Sequence, residues 1–182
     1  MARRLAWMAF TALLVPATLW AQAERKDFQI LKDAAGAVDT YVRFTVFDDV
    51  NIAVDQGVVT LTGKVTMPFK HDDIERRVAR VPGVTQVRNQ IDVLPVSIFD
   101  DDLRDGIARA IYRNPNFWQY ASMPNPPIHI IVERGHVTLT GVVQSNVERM
   151  LARSLAMPFG AFSVENKLKT DAEIRAELEK GD

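Results

Sequence analysis

A heptapeptide occurs twice in this chain. Gly57-Val58-Val59-Thr60-Leu61-Thr62-Gly63 and Gly135-His136-Val137-Thr138-Leu139-Thr140-Gly141 differ only at Val58 and His136 and stand 78 positions apart. Val65 pairs with Val143 at the same offset. After a one-residue deletion Ile74 pairs with Leu151, Val78 with Leu155, Gly83 with Gly160, Val87 with Val164 and Asn89 with Asn166. A repeat of that length exceeds the ~20–50 residues of a solenoid unit and can bury a modest core of its own. The duplication therefore predicts two tandem domains.

Each copy has the same internal order. Val50 to Asp55 alternates apolar with polar residues, Gln56-Gly57 supplies a two-residue turn, and Val58 to Val65 returns. That spacing sets Val54 opposite Val59 and Ile52 opposite Leu61, with Asn51, Ala53, Thr60 and Thr62 on the other face. Ile128 to Glu133, Arg134-Gly135 and His136 to Val143 repeat the design, with Ile130 opposite Leu139 and Val132 opposite Val137. Gly57 and Gly135 supply the positive φ of a tight turn. Gly63 and Gly141, inside the returning strands, predict a bulge or the close approach of another backbone.

A helix follows each hairpin, with apolar lines Ile74, Val78, Val81 and Val147, Leu151, Leu155. Ser145 and Glu148 form a capping box at the second helix's start. Pro82-Gly83 and Pro158-Phe159-Gly160 end the helices, and third strands follow over Val84 to Val93 and Ala161 to Leu168. Ahead of the hairpins lie helical segments, about Phe28 to Phe44 and Asp100 to Tyr112, the latter with Leu103, Ile107 and Ile111 in line. The predicted class is α+β: two tandem αββαβ sandwiches, each a small three-stranded mixed sheet with two helices on one face. The expected boundaries are an export signal over 1–23, a first domain over 24–95, a second over 96–170 and a helical tail over 171–182. Leu94-Pro95-Val96-Ser97 is too short a linker to let the domains roam. In the tail, Thr170 and Glu173 make another capping box, and Ile174 and Leu178 give a one-sided helix free to dock on either domain.

Arg3 and Arg4, the apolar run from Leu5 to Leu19, and Ala21-Gln22-Ala23 read as an export signal cleaved after Ala23. The chain has no cysteine, so neither a disulfide framework nor lipid attachment at cysteine is open to it. The formal net charge is −1 before Arg3 and Arg4 are removed, which makes nucleic acid a poor partner. No later stretch is apolar for long enough to span a bilayer. The expected location is the bacterial periplasm, with secretion as the variant.

The pattern Gly-x-Val-Thr-Leu-Thr-Gly, a helix, and then Pro-Gly-Val-Thr-x-Val-x-Asn at Pro82 to Asn89 resembles the BON domain, found in osmotic-shock-induced periplasmic proteins and related envelope proteins. It covers nearly all of the mature chain, twice. Gly63, Gly83, Val84, Val87 and Asn89 stand where the family has them; in the second copy Phe159 replaces the proline and Ala161 the valine. The resemblance implies a compact αββαβ sandwich, association with phospholipid membrane surfaces and envelope integrity, and no enzymatic activity.

Catalytic, cofactor and metal sites find no pattern to rest on. His71, His129 and His136 have no second histidine or cysteine at ligand spacing, and His129 and His136 face Thr140 and Glu133 rather than each other. The acidic runs Asp48-Asp49, Asp72-Asp73 and Asp100-Asp101-Asp102 stand where carboxylates cap helices. Arg76 and Arg80, and Arg149 and Arg153, form one-turn stripes on the second helices, with Arg76 aligned to Arg153; Asp72 and Asp73 are spaced to neutralise the first. The most unusual stretch is Asn114 to Pro127, whose four prolines predict irregular structure. Its Phe117, Trp118, Tyr120 and Met123, beside Arg109 and Arg113, suit an anchor at a membrane or partner surface. They also suit a plug over the sheet or between the domains. The expected function is a non-enzymatic periplasmic protein that binds phospholipid surfaces, in envelope integrity or osmotic stress. The alternative is a protein-interaction module docking on an envelope complex.

Overall fold

Gln56 and Gly57 take positive φ, 49° and 78°, and Arg134 and Gly135 repeat this at 51° and 79°. Two consecutive positive φ values make a primed two-residue turn, whose twist suits a tight antiparallel hairpin. In the computed structural model, which describes residues 18–180, each repeat is built around such a turn. The predicted export signal, residues 1–23, lies outside the described residues over 1–17.

In the first repeat β1 (Asp49–Asp55) and β2 (Val58–Val65) pair antiparallel with Ile52 opposite Leu61 and Val54 opposite Val59, the expected register. β3 (Gln86–Val93) joins β2 in parallel, giving the order β1-β2-β3. Helices α1 (Thr18–Asp39) and α2 (Pro68–Val78) pack on one face. Ile30, Ala34 and Val38 of α1 meet Val59, Leu61, Ile74 and Val78 in a closed core. α1 stops at Asp39, short of the predicted Phe44, because the chain turns there: Tyr41 N donates to Val38 O and Phe44 N to Tyr41 O.

In the second repeat α3 (Ile98–Tyr112), the short α4 (Trp118–Ala121) and α5 (Asn146–Ala156) accompany β4 (Ile128–Glu133), β5 (His136–Val143), β6 (Ser163–Asn166) and β7 (Lys169–Thr170). β6 and β7 both run parallel to β5, so the expected strand Ala161 to Leu168 starts later and is interrupted, whereas β3 is continuous. α6 (Asp171–Lys180) follows. Its capping box is reciprocal, Thr170 N to Glu173 Oε2 at 2.8 Å and Glu173 N to Thr170 Oγ1 at 3.3 Å. It docks on the second module through Arg149–Glu173 (3.0 Å) and Lys169–Glu177 (2.7 Å).

One expectation about the repeat is corrected. The fully buried residues of α5 are Ala152 and Ala156, while Leu151 and Leu155 are half-buried flanks and Val147 is exposed. Ala152 and Ala156 lie 78 positions beyond the buried Ile74 and Val78 of α2, so the offset is unbroken through the helix. The asparagines agree. Asn89 Nδ2 donates to His71 O (3.0 Å) and Asn166 Nδ2 to Arg149 O (2.7 Å); these acceptors are 78 apart and the asparagines 77. The deletion therefore falls after the helix, where the 3-10 turn Met157–Phe159 leads to Gly160 in left-handed conformation. Arg153 consequently aligns with Glu75 and not with Arg76.

The two modules touch. Ile130 N on the edge of β4 donates to Val46 O of the first module at 2.7 Å, Lys64 pairs with Glu133, and Phe47 packs against the second module's core. Phe44 lies against His129 with ring centroids 5.6 Å apart.

Candidate contact surface

The predicted anchor loop is more ordered than its prolines suggest. Pro115 opens a 3-10 turn, Pro115–Phe117, at a position where a missing N–H costs nothing, and Asn114 caps it. α4 continues from it. Phe117 is fully buried in the second core, and Tyr120, also buried, stacks on it at 6.0 Å. Tyr120 Oη donates to Glu148 Oε2 (2.7 Å) and accepts from Gln144 N (3.1 Å). Burial, with the Glu148 carboxylate beside it, pushes its pKa up to about 12. Phe117 and Tyr120 are thus a plug over their own sheet and not part of a contact surface. The reason lies on α5: alanines stand where α2 has Ile74 and Val78, and interiors packed to crystal-like density fill such space from elsewhere.

The same corner of the first module is closed by Asp48. This buried carboxylate accepts from Thr66 N (2.8 Å), Thr45 N (2.8 Å) and Lys70 Nζ (2.6 Å). Thr66 and Lys70 occupy the places of Gln144 and Glu148, so the two copies tie strand end to helix start by different chemistry. Asp100 also departs from the predicted capping role. Its oxygens accept from Arg134 N (2.8 Å) and Gly135 N (2.7 Å), holding the hairpin turn, as Asp27 holds Gln56 N and Gly57 N in the first copy.

Of the predicted set, Trp118 (70% exposed), Met123, Arg109 and Arg113 remain on the surface. Arg76 is held by Asp73, and Arg149 by Glu173. His71 pairs with Asp72, and His136 Nδ1 lies 2.8 Å from Ser163 Oγ.

A different aromatic surface was not anticipated. At the hairpin-turn end of the second module Phe99 and Phe162 touch, with centroids 6.0 Å apart, and His136 meets Phe162 edge-on at 5.8 Å. Phe162 is 73% exposed. A Cβ on Gly135 would come within 2.7 Å of Phe162, and one on Gly106 within 2.7 Å of Phe159, so two glycines let the rings lie flat on the backbone. Ile98, next to Phe99 in the chain, is also exposed. The first copy has Lys26, Asp33, Pro82 and Thr85 where the second has Phe99, Gly106, Phe159 and Phe162. Setting the copies side by side at those positions is the signal that would have found it. Trp118 lies at the other end: Tyr120 bonds to Gln144 beyond the end of β5, whereas Phe162 sits beside β5's first residue, His136.

The architecture is that of a tandem αββαβ protein whose second copy carries exposed aromatic residues that the first lacks. The chain belongs to the BON domain family, which it matches over residues 32–95 and 99–172. No curated protein matches it. Among solved structures it is similar to the C-terminal domain of CdsD, described as the structural protein of the type III secretion system of Chlamydia trachomatis, with 15% identity, 82% of this chain and 68% of that one covered, and a TM-score of 0.33. A second CdsD structure gives 12% identity over 82% of this chain and 97% of that one, with a TM-score of 0.27. No helix among the described residues is long and apolar enough to cross a membrane.

Proposed function

We propose that this protein is a non-enzymatic, periplasmic envelope protein that docks on phospholipid surfaces through its second module, with the first as scaffold. The observation that carries this reading is the exposed, touching pair Phe99 and Phe162, set against Lys26 and Thr85 at the equivalent places of the first copy. Exposed contiguous aromatic surface is uncommon on soluble proteins and marks a place where something else is met. Phenylalanine enters the boundary between headgroups and acyl chains, gaining ~25 cal/mol for each Å² removed from water. Arg134, exposed in the adjoining turn, adds attraction for anionic headgroups of ~1 kcal/mol at the surface. The expectation drawn from BON-like sequences points the same way.

Sedimentation with vesicles containing anionic phospholipid tests it. Binding should be lost in the double variant Phe99→Asp, Phe162→Asp and kept in Trp118→Ala, and Trp118 emission should stay at its aqueous wavelength when vesicles are added. A blue shift would move the contact to the Trp118 end. Failure of the parent chain to sediment at low salt, with reproducible capture of one envelope protein instead, would overturn the lipid reading in favour of a protein-docking module.

A further inference from the structure

The outer edge of β4 is capped along its length. Ile128 O accepts from Tyr112 Oη, Ile130 N donates to Val46 O at 2.7 Å, and Val132 O accepts from Arg104 Nη2 at 2.5 Å. All three edge residues are fully buried. Their counterparts on β1, 78 positions earlier, are Val50, Ile52 and Val54. Turn and register are the same in both hairpins, so these three also direct their N–H and C=O groups away from the neighbouring strand. There they meet no hydrogen-bond partner among the described residues, and each is only half-buried.

The first helices explain the difference. Asp27 of α1 and Asp100 of α3 hold the two hairpin turns, which fixes how these helices align. Arg104 then corresponds to Leu31, its ion-pair partner Asp101 to Phe28, and Tyr112 to Asp39. A leucine donates no hydrogen bond and a carboxylate only accepts, so neither replaces the caps on Val54 O and Val50 O. Phe28, 66% exposed, and the half-buried Leu31 put apolar surface where the second module has an ion pair. An unpaired edge bordered by apolar side chains is a template for another strand.

Charge selects the occupant. Asp49 and Asp55 stand at the two ends of β1, on the open face of the sheet. Asp55 is exposed and makes no ion pair among the described residues. The lysines that line a groove with Asp49, which are Lys64, Lys167 and Lys169, are held by Glu133, Glu165 and Glu177. Two copies of this chain pairing about Ile52 would set Asp49 against Asp55 twice, and like charges directly opposite repel. A strand with a basic residue at each end meets both carboxylates. We infer that the β1 edge binds an extended segment of another polypeptide, its alternate apolar residues on the helix side with Phe28 and Leu31, and its lysine or arginine residues opposite Asp49 and Asp55. The site lies on the first module, apart from the Phe99–Phe162 surface, so it stands or falls separately from vesicle docking.

Titration of the full two-module protein with the end-blocked peptide Lys-Val-Thr-Val-Thr-Val-Lys is the test, read by calorimetry and amide hydrogen exchange. One peptide should bind per chain and slow exchange at Ile52. The peptide N-methylated at its central valine, which loses the middle backbone donor, and the peptide ending in Glu instead of Lys should each bind at least ~10-fold more weakly. Asp55→Lys, on an exposed side chain, should weaken the Lys-ended peptide and strengthen the Glu-ended one, each by ~3-fold. Phe28→Asp with Leu31→Arg, which builds the second module's cap onto α1, should abolish peptide binding, whereas Phe99→Asp with Phe162→Asp should leave it unchanged. No binding by the parent, equal binding of the N-methylated peptide, or an Asp55→Lys variant with the parent's preference would each overturn the proposal. So would protection at a different strand edge, or protection of Ile52 by self-association without peptide.

Discussion

At Gly141 a Cβ would stand 1.8 Å from the carbonyl oxygen of Pro127, and at Gly63 2.1 Å from that of Asp49, with φ of 107° and 120°. A side chain at either place has to push a neighbouring strand away and adopt a backbone conformation that suits glycine. Gly63→Val and Gly141→Val should each destabilise by more than the ~1 kcal/mol spanned by strand propensity, as read by denaturant unfolding. Parent-like melting of both variants would show that the strands yield. The tyrosines set a second residue-scale expectation. Burial, with Asp73 accepting its hydrogen bond, raises Tyr41 to about 12; Tyr120 reaches about 12 beside Glu148; Tyr112, bonded to Ile128 O, is raised by burial too. The unfolded chain ionises near the ordinary 10.0. Below that pH both states are protonated and the stabilisation is complete; between about 10 and 12 only the unfolded chain loses protons, so stability falls. Melting temperatures should therefore show no tyrosine-linked loss up to about pH 9 and drop steeply through that alkaline window.

At the scale of elements, α2 and α5 occupy the same place yet bury different volumes, isoleucine and valine in one and two alanines in the other. That difference admits the Pro115–Ala121 segment into the second core and leaves the first corner to the Asp48–Lys70 pair. The hairpin-turn end differs as well, and there the difference faces solvent. Giving the second module its counterpart residues, Phe99→Lys with Phe162→Thr, should therefore abolish vesicle sedimentation while moving the melting temperature by only a few degrees, as expected for exposed positions. A large fall in melting temperature would make those rings structural. Hairpins, registers and the start of α5 were legible here because each depends on neighbours in sequence: a period of two, turn residues, a capping serine; the start of α1 was not, Thr18 lying ten residues ahead of the expected Phe28. The place of the deletion was not. Leucines at 151 and 155 look like a buried line until the side-chain directions on the helix are known.

Across the whole molecule the modules are joined by more than their linker. Val46 O supplies an acceptor to the edge of β4, and Phe47 enters the second module's core from the first. Phe47→Ala should destabilise the second module by ~2–3 kcal/mol, below the 3–5 of a fully enclosed phenylalanine, and calorimetry should show its transition move toward lower temperature. An unchanged transition would mean that Phe47 contributes nothing across the interface. The duplication, the αββαβ order and both hairpin registers were determined by the sequence alone, since local periodicity and turn chemistry specify them residue by residue. Which aromatic residues are core and which are surface was decided only by the tertiary structure. Phe117 is inside because alanines some 35 positions later on α5 leave room for it, and Phe162 is outside because Gly135 and Phe99 form a shelf that no other described residue covers. Burial is a property of the volume around a side chain, and that volume is supplied by residues distant in sequence.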